Sequence, residues 1–332
     1  MIRIPLTVSF YKKNSRIYNS YILEYIWIDR CGNLRSKIRT AYPSFESSDS
    51  GSENDYIAVE NWNHHDDGLK DGEIEIALVP VAHFLNPFFD PGRAFLVLCE
   101  TCFADGTPTE TNFRWGATKV FDKGGCKLGP RFRINQEYFI VQPPRFAQGV
   151  QEPHYCGVGA RTVALRKLAE KHYEYCFQAG LKIGGMNAGV EPSQWEFQIG
   201  PCCDISAGDE LWVARYILHK LGEEFDVCIS FKSKSVRTLN TTFSTEESRN
   251  KNGLKCIYKY IDRLSKRYPH GDAGFALGAA ASASIRVPKS VLKNNCGYLE
   301  NRYPESDADP YRVTAAIFTG AGCGNNKSNK SV

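Results

Sequence analysis

The chain has 332 residues, 42% hydrophobic and 23% charged, with a formal net charge of +4. That length accommodates about two ordinary domains, and the balance is that of a globular chain. It excludes a long basic nucleic-acid footprint and any stretch apolar enough to span a bilayer, so neither nucleic acid nor membrane is expected as a partner.

Met1 to Tyr25 sets Lys12, Lys13 and Arg16 among polar residues, without the apolar core of a secretion signal. The expectation is a cytoplasmic protein. Its 12 cysteines then read mostly as small buried hydrophobes rather than a disulfide framework. Cys99-Glu100-Thr101-Cys102 is a lone C-x-x-C, with no second pair to complete a metal site.

Tyr21 to Thr40 reads as two strands joined by a turn at Cys31-Gly32-Asn33. Ser44 to Asp55 is a Ser-, Asp- and Glu-rich loop, and His64-His65-Asp66-Asp67 reads as a solvated turn. Ile74 to Ala82 and Phe95 to Cys99 add strands, completing a small, mostly β domain that ends near Thr109. Beyond it, Tyr138 to Val141 and Gln194 to Ile199 read as strands among amphipathic helices. Those helices span Arg161 to Ala179, Asp209 to Leu221 and Glu246 to Arg267. Ser206 with Asp209, and Ser244 with Glu247, have capping-box spacing. His172 and His219 read as helix-face residues without a chemical role. Alternation puts Gln194, Glu196 and Gln198 on one strand face, which fits either a polar cavity or a half-exposed sheet. Gly320 to Val332 is a Gly/Asn/Lys/Ser-rich tail, expected to be disordered. No phosphate-binding loop of the G-x-x-x-x-G-K-[ST] type occurs.

Several of these segments carry a family pattern. Tyr25 to Asp29, Glu110-Thr111-Asn112 with Arg114, Tyr155 to Ala160, Gln194 to Pro201, Asp209 to Arg215, Ser282 to Arg286 and Gly297 to Arg302 resemble, in order, the motifs of eukaryotic-type glutamine synthetase. The resemblance runs from about Tyr25 to Ala316. It implies an α+β glutamine synthetase fold: a β-grasp domain over 1–109, a catalytic-type domain with a curved antiparallel sheet over 110–319, and a tail over 320–332. It also implies assembly into rings, either of like subunits or mixed with an active family member, with each site between neighbouring subunits. The activity it implies is synthesis of glutamine from glutamate, ammonia and ATP through a γ-glutamyl phosphate, aided by Mg²⁺ or Mn²⁺.

Phosphoryl transfer to a carboxylate joins two anions and needs cations and arginines to neutralise them. By the resemblance, Glu137 and Glu196 match ligands of the substrate-side metal, and Glu300 matches the ATP-side metal. Other matched ligands are altered: Asn135 stands for the first Glu of E-Q-E-Y, Gly189 for the Glu of N-A-E-V-M-P, and Asn240 for a His. Glu191, two residues from Gly189, is a candidate replacement, giving a metal set of Glu137, Glu191, Glu196 and Glu300.

Arg286 and Arg302 resemble catalytic arginines that contact ATP and glutamate. Glu196, Phe197, Gln198, Ile199, Gly200, Pro201, Phe243, Ser244, Arg286 and Tyr298 resemble nucleotide-contacting positions. The arginine that acts on the transferring phosphate is Ala281 here, a loss on the order of a thousandfold in rate by analogy with arginine fingers. The glutamate-seating loop is shortened at Phe231 to Thr242, and the flap motif between Tyr268 and Ser282 is missing. In the N-terminal loop Trp62 to Gly68, the Asp of the ammonium site is displaced. The expected outcome is little or no ligase activity. Opposed to it stand a working glutamate–ammonia ligase with a rearranged site, and a ligase for a different amine or acid.

Overall fold

The computed structural model describes residues 6–9, 19–45, 55–66, 74–141, 155–159, 165–191, 193–232, 239–267 and 284–323. The chain forms two compact units, residues 1–115 with 175–181, and residues 116–174 with 182–332. Expectations for the Ala281 region, the flap segment, most of the shortened loop and the tail from 324 lie outside the described residues.

The first unit carries β1 (Leu6–Ser9), β2 (Tyr21–Ile28), β3 (Leu34–Ala41), β4 (Ser44–Phe45), β5 (Asp55–Val59), β6 (Trp62–Asp66), β7 (Ile74–Leu85) and β8 (Ala94–Phe103). A five-stranded sheet runs β3-β2-β8-β7-β6, with β2 and β8 parallel and its other pairs antiparallel; β1-β5-β4 form a smaller sheet. Alternate side chains of β2, from Tyr21 to Trp27, enter a core with Ile57, Leu78, Phe95 and Val97. The β2–β3 turn closes on Asp29, whose Oδ1 accepts from the amides of Cys31 and Asn33 at 2.8 and 2.9 Å. The turn expected at His64–Asp67 is corrected: His64, His65 and Asp66 pair with Ile76, Glu75 and Ile74 as β6. The long neighbouring strand supplies a ladder that overrides the local turn propensity.

The second unit carries α1 (Phe113–Asp122), α2 (Gly125–Leu128), β9 (Arg131–Val141), α3 (Arg166–Gln178), β10 (Ile183–Ala188), β11 (Gln194–Cys203), α4 (Ser206–Glu224), β12 (Cys228–Ser230), β13 (Asn240–Ser244), α5 (Glu246–Arg249), α6 (Leu254–Arg267), β14 (Ile285–Arg286), α7 (Lys289–Asn294), β15 (Leu299–Asn301) and α8 (Pro310–Gly320). Its antiparallel sheet runs β10-β11-β9-β13-β15-β14, and β12 pairs with the far end of β9. Strand β9 alternates strictly: Phe132, Ile134, Gln136, Tyr138 and Ile140 are buried, while Arg131, Arg133, Asn135 and Glu137 face the other way. The buried set meets α4, which is apolar over most of its circumference.

Neither expected capping box forms as the spacing implied: α4 has no side-chain cap, and the later box is shifted by one residue. Helix α4 begins at Ser206 itself, whose hydroxyl donates to the Cys203 carbonyl, and Asp209 is buried, accepting from the Tyr311 hydroxyl at 2.7 Å. The later box is built by Thr245 and Ser248, and Ser244 instead accepts from Arg249. The helix expected over Glu246 to Arg267 is interrupted after Arg249, where Asn252 takes a left-handed φ of 66°.

Two buried cationic-type side chains join β9 and its neighbours to α4. Arg215, 1% exposed, donates to Gln136 Oε1 from Nε and Nη2 at 2.9 and 2.6 Å, and to the carbonyls of Ser306 and Ala308. Burial lowers its guanidinium to about 10, which leaves it charged at neutral pH. His172, as expected, is structural: its Nε2 is 3.0 Å from the Ala214 carbonyl and its ring packs on Phe197 and Tyr138.

Replacing Arg215 with Ala strands Gln136 and two buried carbonyls and opens a cavity. We expect a loss of about 3 kcal/mol or more in urea unfolding, and a loss under about 1 kcal/mol contradicts the role. Burial pushes His172 down to about 4. The unfolded state therefore binds the extra proton between about pH 6.5 and 4, so the stability tied to this group is complete above pH 6.5 and drains as pH falls through that window. His172→Phe should flatten that part of the stability–pH curve.

Candidate functional site

The site is the face of the second unit's sheet turned away from α4. Directly opposed residues in antiparallel strands share a face, so register alone assembles it. Glu196 lies opposite Glu137 on β9 and Asn187 on β10. Asn135 lies opposite Gln198 on one side and Asn240 on the other. Arg133 opposes Thr242, Thr242 opposes Glu300, and Glu300 opposes Arg286. Gln194, Glu196 and Gln198 lie on this face, the first two buried and Gln198 half-buried.

Each acidic group on this face already has protein donors. Asn135 Nδ2 donates to Glu196 Oε2 at 2.6 Å; Asn187 Nδ2 and the Tyr155 hydroxyl donate to Glu196 Oε1, the latter at 3.1 Å. Partial burial and the negative Glu196 push the Tyr155 phenol up to about 12, so it remains a donor. Gln194 Nε2 donates to Glu137 Oε2 at 3.1 Å. Glu300 takes Arg286 Nε on one oxygen and lies 3.2 Å from Arg302 Nε on the other.

Gly189, where the resemblance expects a carboxylate, sits against the Gln194 side chain. A Cβ there would come within 2.4 Å of the Gln194 amide carbon. The Gln194 Oε1 is itself held by the amides of Val190 and Glu191 at 3.0 and 2.9 Å. The space for a side chain at 189 is therefore filled, and Gln194 locks it. Among the described residues no three His, Cys, Asp or Glu side chains gather into a metal-holding group, so Glu191 does not join Glu137 and Glu196 in one.

The nucleotide-type positions divide between two faces. Phe197, Ile199 and Phe243 are buried on the helix side, with Phe197 against His172 and Phe243 against Phe132. Gln198 and Ser244 belong to the polar face, Tyr298 is 37% exposed, and Pro201 is exposed. Gly200 occupies a register shift at φ 107°, where a Cβ would meet the Phe132 carbonyl at 2.4 Å; only glycine allows the two strands this approach. Sequence reasoning missed Tyr155 as a carboxylate partner and Arg131 and Arg133 as members of this face. The period-two pattern extended back from Glu137 was the signal for the arginines.

A strand-rich first unit, and a second unit whose antiparallel sheet carries helices on one face and carboxylates, amides and arginines on the other, define an α+β protein with a polar, charge-lined site. No protein-family model matches the chain. A glutamine synthetase from Eremothecium gossypii is 40% identical to it, covering 89% of this chain and 88% of its own length. Those of Saccharomyces cerevisiae and Panulirus argus are 38% and 39% identical, covering 89% and 88% of this chain and 88% and 90% of their own lengths. Among solved structures, apo GmaS without ligand shares the fold, with a TM-score of 0.66 at 14% identity, over 91% of this chain and 77% of that one. The chain belongs to the glutamine synthetase family. No helix among the described residues is long and apolar enough to cross a membrane.

The amide at Asn135 can be tested by a charged substitution. Asn135→Glu places a second carboxylate against Glu196, and one of the two must take up a proton or attract a cation. Its penalty should be full at neutral pH, shrink as pH falls through the raised folded value, and be gone by about pH 4, where the unfolded carboxyl also protonates. In thermal melts, Mn²⁺ should raise the midpoint of this variant more than that of the wild type. An equal Mn²⁺ response in both contradicts the assignment.

Proposed function

We propose that this protein is a glutamine synthetase homologue with little or no glutamate–ammonia ligase activity, which keeps a polar face able to take a nucleotide. The observation that carries the reading is the engagement of Glu196: both of its oxygens accept from protein donors, Asn135, Asn187 and Tyr155. As arranged, the donor set does not fit a divalent pair, because a cation would have to displace amide donors at Glu196 and Glu137 and two arginines at Glu300.

The arginines point the same way. Arg286 and Arg302, resembling groups that meet ATP and glutamate, are engaged with Glu300. Ala281 supplies no charge where the family pattern has an arginine. Independent losses at one reaction compound, though not additively. The same reading takes residues 1–109 as a β-grasp domain and 110–319 as the catalytic-type domain. It places the protein in the cytoplasm, in a ring of its own copies or mixed with an active family member.

Glutamine formation from glutamate, ammonia and Mg-ATP should be measured on the purified full chain beside the Saccharomyces cerevisiae relative. We expect a turnover at least on the order of a thousandfold lower. A rate within about tenfold of the relative's overturns the reading in favour of a working ligase with a rearranged site.

A further inference from the structure

We propose that the Arg131 end of the polar sheet face binds a polyphosphate chain directly through guanidinium groups, with no divalent cation between ligand and protein. The inference rests on the reading above, in which the face is kept while its carboxylates are taken, and it concerns how that face meets ligand charge.

Arg131 and Arg133 are exposed and share the face of Asn135 and Glu137. At about 3.3 Å per residue, Arg131 stands roughly 20 Å along β9 from Glu137, so the face is acidic at one end and cationic at the other. Cross-strand register places the Ser244 and Thr242 positions directly opposite the two arginines. Arg249 is fixed beside them by neutral acceptors, donating to the Ser244 hydroxyl at 3.0 Å and to the Gly129 carbonyl at 2.8 Å. Glu246 lies alongside Arg249. Burial first, then the like charge of Arg131, lowers Arg249 from its ordinary value, which places the two guanidiniums within electrostatic reach of each other.

Arginines gathered in this way raise the free energy of the empty face, and an anion relieves it. Among the described residues neither Arg131 nor Arg133 has a carboxylate partner, in contrast to Arg286 and Arg302, which Glu300 holds. Planar guanidinium forks match phosphate oxygens two at a time, and adjacent hydroxyls complete such a site. A chain of phosphates offers each of the neighbouring arginines its own pair of oxygens, so the occupant proposed is a triphosphate-type anion.

The test is calorimetric titration of the full chain with ATP, tripolyphosphate and AMP, in EDTA and then in Mg²⁺. ATP and tripolyphosphate should both bind in EDTA and compete with each other, with AMP about tenfold weaker or worse. Arg131→Gln and Arg133→Gln should each weaken ATP binding in EDTA about tenfold with melting temperatures no lower than that of the wild type, while Arg133→Lys keeps part of the affinity. Binding that requires Mg²⁺, that AMP matches, that tripolyphosphate cannot displace, or that ignores both Gln variants overturns the proposal. So does the absence of binding in EDTA. Turnover is a separate readout: a brisk ligase rate fails the functional reading alone, and absent metal-free binding without turnover fails this inference alone.

Discussion

A buried guanidinium decides which way strand β9 faces. Arg215 has no route to water, so its charge is met by the Gln136 amide oxygen and two backbone carbonyls. Gln136 in turn donates its own amide to the carbonyls of Glu137 and Ser306. Once Gln136 points toward α4, strand alternation turns Asn135 and Glu137 to the opposite face. A one-residue slip would bury Asn135 and Glu137 and strand the Arg215 charge. Register thus fixes the polar face from behind, and the neighbouring strands follow by ladder pairing to β9.

The front of the sheet is governed by how negative charge is neutralised. A carboxylate half-withdrawn from water is met by cations, by hydrogen-bond donors or by a proton. Here donors meet it: amides at Glu196 and Glu137, and arginines at Glu300. The amide at residue 135 acts on both sides of that balance: it adds no negative charge and supplies an N–H to Glu196. The Gln194 side chain adds a steric element by occupying the volume beside Gly189. At the opposite end of β9 the excess charge is positive, so the face is divided along a single strand.

The family was legible in the sequence because its motifs are long and in order, and at 38–40% identity over nearly the whole chain the relatives agree. The β2–β3 hairpin was legible because the turn chemistry at Asp29 to Asn33 is local. Shared orientation of Gln194, Glu196 and Gln198 was legible because period-two alternation is a local property of the backbone. The cap assignments were not: Ser206 and Ser244 have cap-forming side chains at cap spacing, yet Asp209 is claimed by Tyr311 and Ser244 by Arg249. Both competitors come from contacts that spacing does not encode.

The amino-acid sequence by itself determined the family and the α+β class, since these depend on residue identity and short-range periodicity. Only the tertiary structure decided what those residues touch. That Asn135 donates to Glu196, that Tyr155 reaches the same carboxylate and that Arg131 stands near Arg249 depend on segments brought together from tens of residues apart, and that Gln194 fills the space at Gly189 depends on how the β10–β11 connection folds back. The physical reason is the range of the forces: propensity and alternation act over a few residues, whereas the pairing of buried or half-buried charge is settled by whichever donors the folded chain delivers to it.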